Sequence, residues 1–221
     1  MKKYTEAILF ALLFVFFTLL VRVIDVGVVG PQNVWIGFSR LNTAVHEFFG
    51  MNLVWYKLTQ AFGIAAIALA GLFAVTGAVE LIKRKSLLKV DRELLMLGVV
   101  YILVIVLYVL FEKFAVNYRP VILDPAEGLE PSYPSTHTML ILTIFGTAVR
   151  ACGFYMKNKK LLAGARICAL IIMALTIVGR LICGVHWLTD IIGGVLISLS
   201  LISLYRALTT QNTQKENANE E

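Results

Sequence analysis

Residues 94–111 read LLMLGVVYILVIVLYVLF, 18 consecutive positions without a charge. At about 1.5 Å of rise per residue this helix would be about 27 Å long, close to the roughly 30 Å hydrocarbon thickness of a bilayer. Upstream, 61–82 (AFGIAAIALAGLFAVTGAVELI) has the same character, its first 19 residues being uncharged. Working outward, 4–24, 138–156, 161–179 and 187–205 also meet the test, which makes six spans. Arg150 and Arg166 interrupt two of them. Both lie toward the basic connector 157–160, where a long side chain reaches the headgroups.

Composition points the same way. Hydrophobic residues make up 59% of the 221 and charged residues 15%, at a mean hydropathy of +0.82, too little polar sequence to cover a soluble globule. The expected architecture is an all-α polytopic membrane protein, six transmembrane helices in one bundle over residues 1–210, followed by a polar tail at 211–221 with the composition of a disordered segment. The net charge of +6 does not indicate nucleic acid, because the basic residues sit in short connectors and form no stripe. Cys152, Cys168 and Cys183 lie in apolar segments without CxxC spacing and read as small hydrophobes.

With both termini cytoplasmic, twelve basic residues fall in inner connectors and six in outer ones, the positive-inside pattern. A signal peptide is the alternative for Lys2-Lys3 and the apolar run 7–21, but no clear small-x-small cleavage site closely follows. The connector 31–60 carries Trp35, Phe38, Phe48, Phe49, Trp55 and Tyr56 among Arg40, His46, Glu47 and Lys57, which predicts an interfacial amphipathic segment between the first two spans. It reads first as an anchor, with a lid or lipid-access surface as the functional alternative.

Three polar clusters then share the extracytoplasmic edge: KFAVNYRP (113–120), PSTH (134–137) and RLICGVHWLTD (180–190). His186 and Asp190, four apart, would share a face of a helix opening the sixth span, so the carboxylate can orient the imidazole. Arg180 adds a guanidinium fork suited to phosphate oxygens. Ser135 or Thr136 is placed to cap the fourth span, whose N-terminus favours an anion beside His137. Arg119 precedes Pro120 at a break, and Lys113 ends the third span. Each cluster alone has a plainer reading, as a helix-end polar pair, an ordinary cap or snorkelled cations. Together they make a phosphate trap with its own nucleophile and acid.

In order and spacing the clusters resemble the type 2 phosphatidic acid phosphatase superfamily, whose signature is Lys-x6-Arg-Pro, Pro-Ser-Gly-His and Ser-Arg-x5-His-x3-Asp. The resemblance implies that His186 attacks phosphorus to give a phosphohistidine, that His137 protonates the departing oxygen and later activates water, and that Asp190 positions His186. It further implies phosphate binding by Arg119, Arg180, Ser135, Thr136 and Lys113, without a metal or other cofactor. Three positions depart from the pattern: Lys113 is one residue too close to Arg119, Thr136 replaces glycine, and Gly179 replaces serine. Asp124, Glu127 and Glu130 read as solvated loop charges and not as cation ligands.

The function expected is an integral membrane phosphatase acting on a lipid phosphate or pyrophosphate in the bilayer, undecaprenyl pyrophosphate first. Phosphatidylglycerol phosphate, phosphatidic acid and a phosphotransferase of the same family are the enzymatic alternatives. A small lipid transporter or an inactive binding relative is the other class; a transport path would need polar residues continuing inward, where the spans are almost wholly apolar.

Overall fold

The structure is a computed structural model that describes residues 2–30, 33–126 and 128–210. The tail 211–221, Glu127 and the first two positions of the connector 31–60 lie outside the described residues. In chain order the elements are α1 (Thr5–Val23), a hairpin of β1 (Gly27–Val29) and β2 (Val34–Ile36), α2 (Ser39–Phe49), α3 (Leu53–Arg84), α4 (Arg92–Lys113), α5 (Thr136–Tyr155), α6 (Lys159–Ile182) and α7 (Leu188–Thr209). Helices α1 and α3–α7 are the six predicted spans, each long and apolar enough to cross a membrane.

Helices α5 and α7 form the centre. Half of each apolar span there is buried, against 11% for α3 and α6, whose side chains such as Ile64 and Leu170 face outward. Helix α1 packs lengthwise on α7, burying Ala7, Phe14 and Val21, and Ser200 Oγ donates to the Ala7 carbonyl at 2.9 Å. Hydroxyls inside the bundle bond mostly to carbonyls within reach: Ser198 to Gly194 (2.6 Å) and Thr147 to Thr143 (2.7 Å). This satisfies them where lipid offers no partner. Arg150 does not simply reach outward. Its Nε donates to Thr209 Oγ1 at 2.8 Å, tying the end of α5 to that of α7.

One boundary differs from the sequence reading. Residues Leu53–Gln60, read as connector, are the first turns of α3, started by Asn52, whose side-chain oxygen accepts from the Val54 and Trp55 N–H groups. At 32 residues α3 is about 48 Å long, longer than the hydrocarbon layer, so its first turns stand beside the polar clusters. The amphipathic segment is α2. Its outer side presents Leu41 and Phe48, the latter 81% exposed, while Asn42 turns inward. Asn42 is fully buried. Its amide donates to the Gly37 carbonyl (2.8 Å) and Thr189 Oγ1 (3.0 Å) and accepts from the Thr189 N–H (3.2 Å). The segment thus fastens the start of α7.

Replacing Asn42 by alanine strands the Thr189 N–H and the Gly37 carbonyl, leaves the Thr189 hydroxyl with only the longer bond from Asn117 Nδ2 (3.4 Å), and is expected to cost about 2–3 kcal/mol. A clearly lower thermal midpoint in detergent checks this; an unchanged midpoint means the clamp is not where α2 is held.

Candidate active site

The loop between α6 and α7 turns at Gly184, whose φ of +71° suits glycine. A side chain there would also run into the Gly50 carbonyl. That proximity lets the α2–α3 junction grip the loop: the Asn52 N–H donates to the Cys183 carbonyl (3.3 Å), and His46 Nε2 sits 3.0 Å from the Gly184 carbonyl. His186 follows in the loop and not on α7, contrary to the shared-face expectation. Asp190, third residue of α7, reaches back instead. Its Oδ2 accepts the Trp187 N–H (3.0 Å) as a cap and lies 3.6 Å from His186 Nδ1. Capping thus brings the two groups close, though at 3.6 Å they are not hydrogen-bonded.

Asp190 is wholly buried and joins the other two clusters. Its Oδ1 accepts from Asn117 Nδ2 (3.1 Å), inside the first cluster, and its backbone carbonyl accepts the Ser135 N–H (2.9 Å), in the second. Trp187 Nε1 adds a bond to the Tyr118 carbonyl at 2.7 Å. Around Arg119 the chain pairs with 130–132: the Arg119 N–H donates to the Glu130 carbonyl (3.0 Å), and Arg119 Nη1 meets Glu130 Oε2 at 3.1 Å. Glu130 is therefore the partner of Arg119 and not a solvated loop charge. Ser135 caps α5, its Oγ accepting from the Thr138 hydroxyl (2.9 Å) and N–H (3.4 Å), and Thr136 and His137 open that helix.

Arg180 is fully buried at the end of α6, where Nη1 donates to Thr59 Oγ1 at 3.3 Å and the guanidinium lies 5.7 Å from the centre of the Tyr56 ring. Arg180, Arg119 and His186 are all near enough to act electrostatically on His137. Burial, then Arg180 and Arg119, push the His186 imidazole well below its ordinary pKa, which favours the neutral ring. Seven of the eight predicted site residues thus gather at one end of the bundle. The eighth, Lys113, ends α4 with an exposed side chain and shares no hydrogen bond or ion pair with the others among the described residues. At the family's lysine spacing this chain carries Glu112.

Nine buried side-chain polar atoms lack a partner among the described residues, and six are Arg119 Nε, His137 Nδ1, Arg180 Nε, Arg180 Nη2, and both ring nitrogens of His186. Three of these six atoms are guanidinium donors, a group whose geometry suits acceptor-rich anions. Sequence reasoning missed Tyr56, Thr59, Gln60 and Asn117. Only a three-dimensional approach links them to the site, since they carry no local motif.

Gly179, where the family has serine, has a packing role. A Cβ there would lie 2.8 Å from both Thr59 Cγ2 and Trp55 Cε3, so α3 fills the space and Thr59 supplies a hydroxyl to Arg180. Gly179→Ser is therefore expected to destabilise by about 1–3 kcal/mol and lower activity, with partial recovery on adding Thr59→Ala. Equal stability and higher turnover in the single variant would contradict this packing account.

Comparison with known proteins follows this geometry. No curated protein matches the chain. A crystal structure described as the first transmembrane PAP2 type phosphatidylglycerolphosphate phosphatase, from Bacillus subtilis, shares the fold with a TM-score of 0.64 at 18% identity, covering 91% of this chain and 94% of that one. Residues 93–214, which hold all three clusters, match the PAP2 superfamily, and the chain belongs to that superfamily of membrane phosphatases.

Proposed function

We propose that this protein is a lipid phosphate phosphatase working through a phosphohistidine on His186, with its site on the extracytoplasmic side and both termini in the cytoplasm. The observation that carries the reading is the set of buried guanidinium N–H groups of Arg119 and Arg180 that lack a partner among the described residues, beside the unpartnered ring nitrogens of His137 and His186. Glu130 meets Arg119, while Arg180 has no carboxylate partner among the described ion pairs and offers its charge to a phosphate dianion.

In the proposed reaction His186 Nε2, the nitrogen turned from Asp190, forms a bond to phosphorus as the bond to the lipid oxygen breaks. Protonated His137 gives that oxygen its proton and becomes neutral. It then takes a proton from water as the water oxygen bonds phosphorus and the N–P bond breaks, which releases phosphate and restores both histidines. Arg119, Arg180 and the α5 N-terminus capped by Ser135, with Thr136 at its first position, hold the equatorial oxygens. No step calls on a metal. Lys113 would assist only by turning inward from the rim.

A membrane substrate is supported by an apolar cleft of about 270 Å³ between α3, α4 and the start of α5, lined by Ile64, Ile67, Val104 and Tyr108 and ending at Thr136 and His137. A second, separate hollow of about 340 Å³ lies farther along the same two helices, between Ala70, Ile102, Leu81 and Leu94. Two apolar hollows along one helix pair suit a long polyprenyl chain, which favours undecaprenyl pyrophosphate. Phosphatidylglycerol phosphate is the second reading, favoured by the solved relative's activity.

The test is phosphate release by the purified protein from undecaprenyl pyrophosphate, phosphatidylglycerol phosphate and phosphatidic acid. The largest kcat/KM is expected for the first. His186→Gln should lose at least about 1,000-fold in turnover, and Arg180→Lys about 100-fold. Full activity in His186→Gln, or no release from any lipid by the parent, overturns the proposal; release that depends on an added acceptor alcohol would make the protein a phosphotransferase.

A further inference from the structure

The four helix positions Tyr56, Thr59, Gln60 and Gly63, on one side of α3 at i, i+3, i+4 and i+7, all meet site residues. Tyr56 lies under the Arg180 guanidinium and Thr59 accepts from it. Gln60 stands against His137: its side-chain Oε1 contacts His137 Nε2. The amide is itself oriented, because Gln60 Nε2 donates to the Tyr56 hydroxyl at 2.9 Å. The oxygen then faces the imidazole, and an amide oxygen only accepts, so the ring nitrogen it touches must carry a proton.

The placement of the ring agrees. A Cβ built on Gly63 would lie 3.3 Å from His137 Cδ2 and 3.6 Å from Nε2, so this edge of the imidazole is pressed on α3 and a side chain at residue 63 would crowd it. Nδ1 sits across the ring from Cδ2, buried and without a partner. Gln60 also lines both the apolar cleft and a polar pocket of about 630 Å³ bounded by Tyr56, Arg119 and Glu130. It therefore stands where a lipid chain would pass into a headgroup site.

We infer that Gln60 is the positioning residue of His137: its amide oxygen holds the proton on Nε2 and leaves Nδ1 as the atom that gives a proton to the departing lipid oxygen and takes one from water. In the neutral ring this selects one of two tautomers. The inference rests on the proposed acid and base role of His137.

The experiment uses the full chain in detergent with 15N-labelled histidine. Only three histidines contribute, and His46→Gln and His186→Gln assign the signals. In the catalytic cycle Nδ1 carries the second proton of the imidazolium, so the tautomer is read at a pH above the titration of the ring, where the substrate-free parent is expected to show neutral His137 with its remaining proton on Nε2. Gln60→Leu should spread the proton over both nitrogens and lower kcat on a lipid phosphate about 10- to 100-fold, with KM within about threefold. Gln60→Glu keeps an acceptor oxygen and should keep the proton on Nε2, with kcat above that of Gln60→Leu. A parent ring protonated on Nδ1, or a Gln60→Leu ring unchanged from the parent, overturns the inference. A tautomer that shifts in Gln60→Leu while kcat holds leaves the hydrogen bond standing but removes His137 from the chemistry, overturning the reading beneath it.

Discussion

A carboxylate with no access to solvent must find donors within the protein, and that of Asp190 finds them in two separate parts of the chain. The Trp187 N–H comes from its own loop and Asn117 Nδ2 from the loop after α4, while His186 Nδ1 stands 3.6 Å away. The same residue's backbone carbonyl receives the Ser135 N–H from the loop before α5. Loops some seventy residues apart are thereby drawn to one point, and the helices that carry them supply the rigidity. Without that carboxylate, the Asn117 amide, the cap of α7 and the orientation of His186 would all lose their common partner.

Beside this knot one charge is unbalanced: Arg180 is fully buried yet has no carboxylate partner among the described ion pairs, its contacts being the Thr59 hydroxyl and the Tyr56 ring. Burying an unpaired guanidinium is costly, and such a group persists in a membrane protein where a ligand compensates it. Arg119 differs, since Glu130 meets one of its nitrogens while Nε stays free. The neutral state of His186 follows first from its burial and then from the nearby Arg180 and Arg119, so the same buried cationic setting keeps the proposed nucleophile unprotonated.

The six spans were legible because hydrocarbon thickness imposes a length and a composition that nothing else in the chain mimics. Arg180, His186 and Asp190 were legible because their register lies within eleven residues, whether the pair forms on a helix or by capping. The supports from α3 were not: Thr59 and Gln60 meet partners 121 and 77 residues away, and an isolated polar residue in an aromatic connector looks like an interfacial anchor. Glu130 shows the converse, a loop acid whose partner is fixed by a short backbone pairing that no hydropathy pattern announces. Lys113 fits the pattern of the first cluster by residue type, but one missing residue leaves it on the exposed rim.

The account depends most on the nucleophile, and rapid-quench labelling reads it directly. With a radiolabelled lipid phosphate as substrate, the label is expected on the peptide containing His186, through a bond that survives alkali and breaks in acid. Label recovered on another residue, or full turnover with no labelled enzyme at any time and no effect of His186→Gln, would contradict the account.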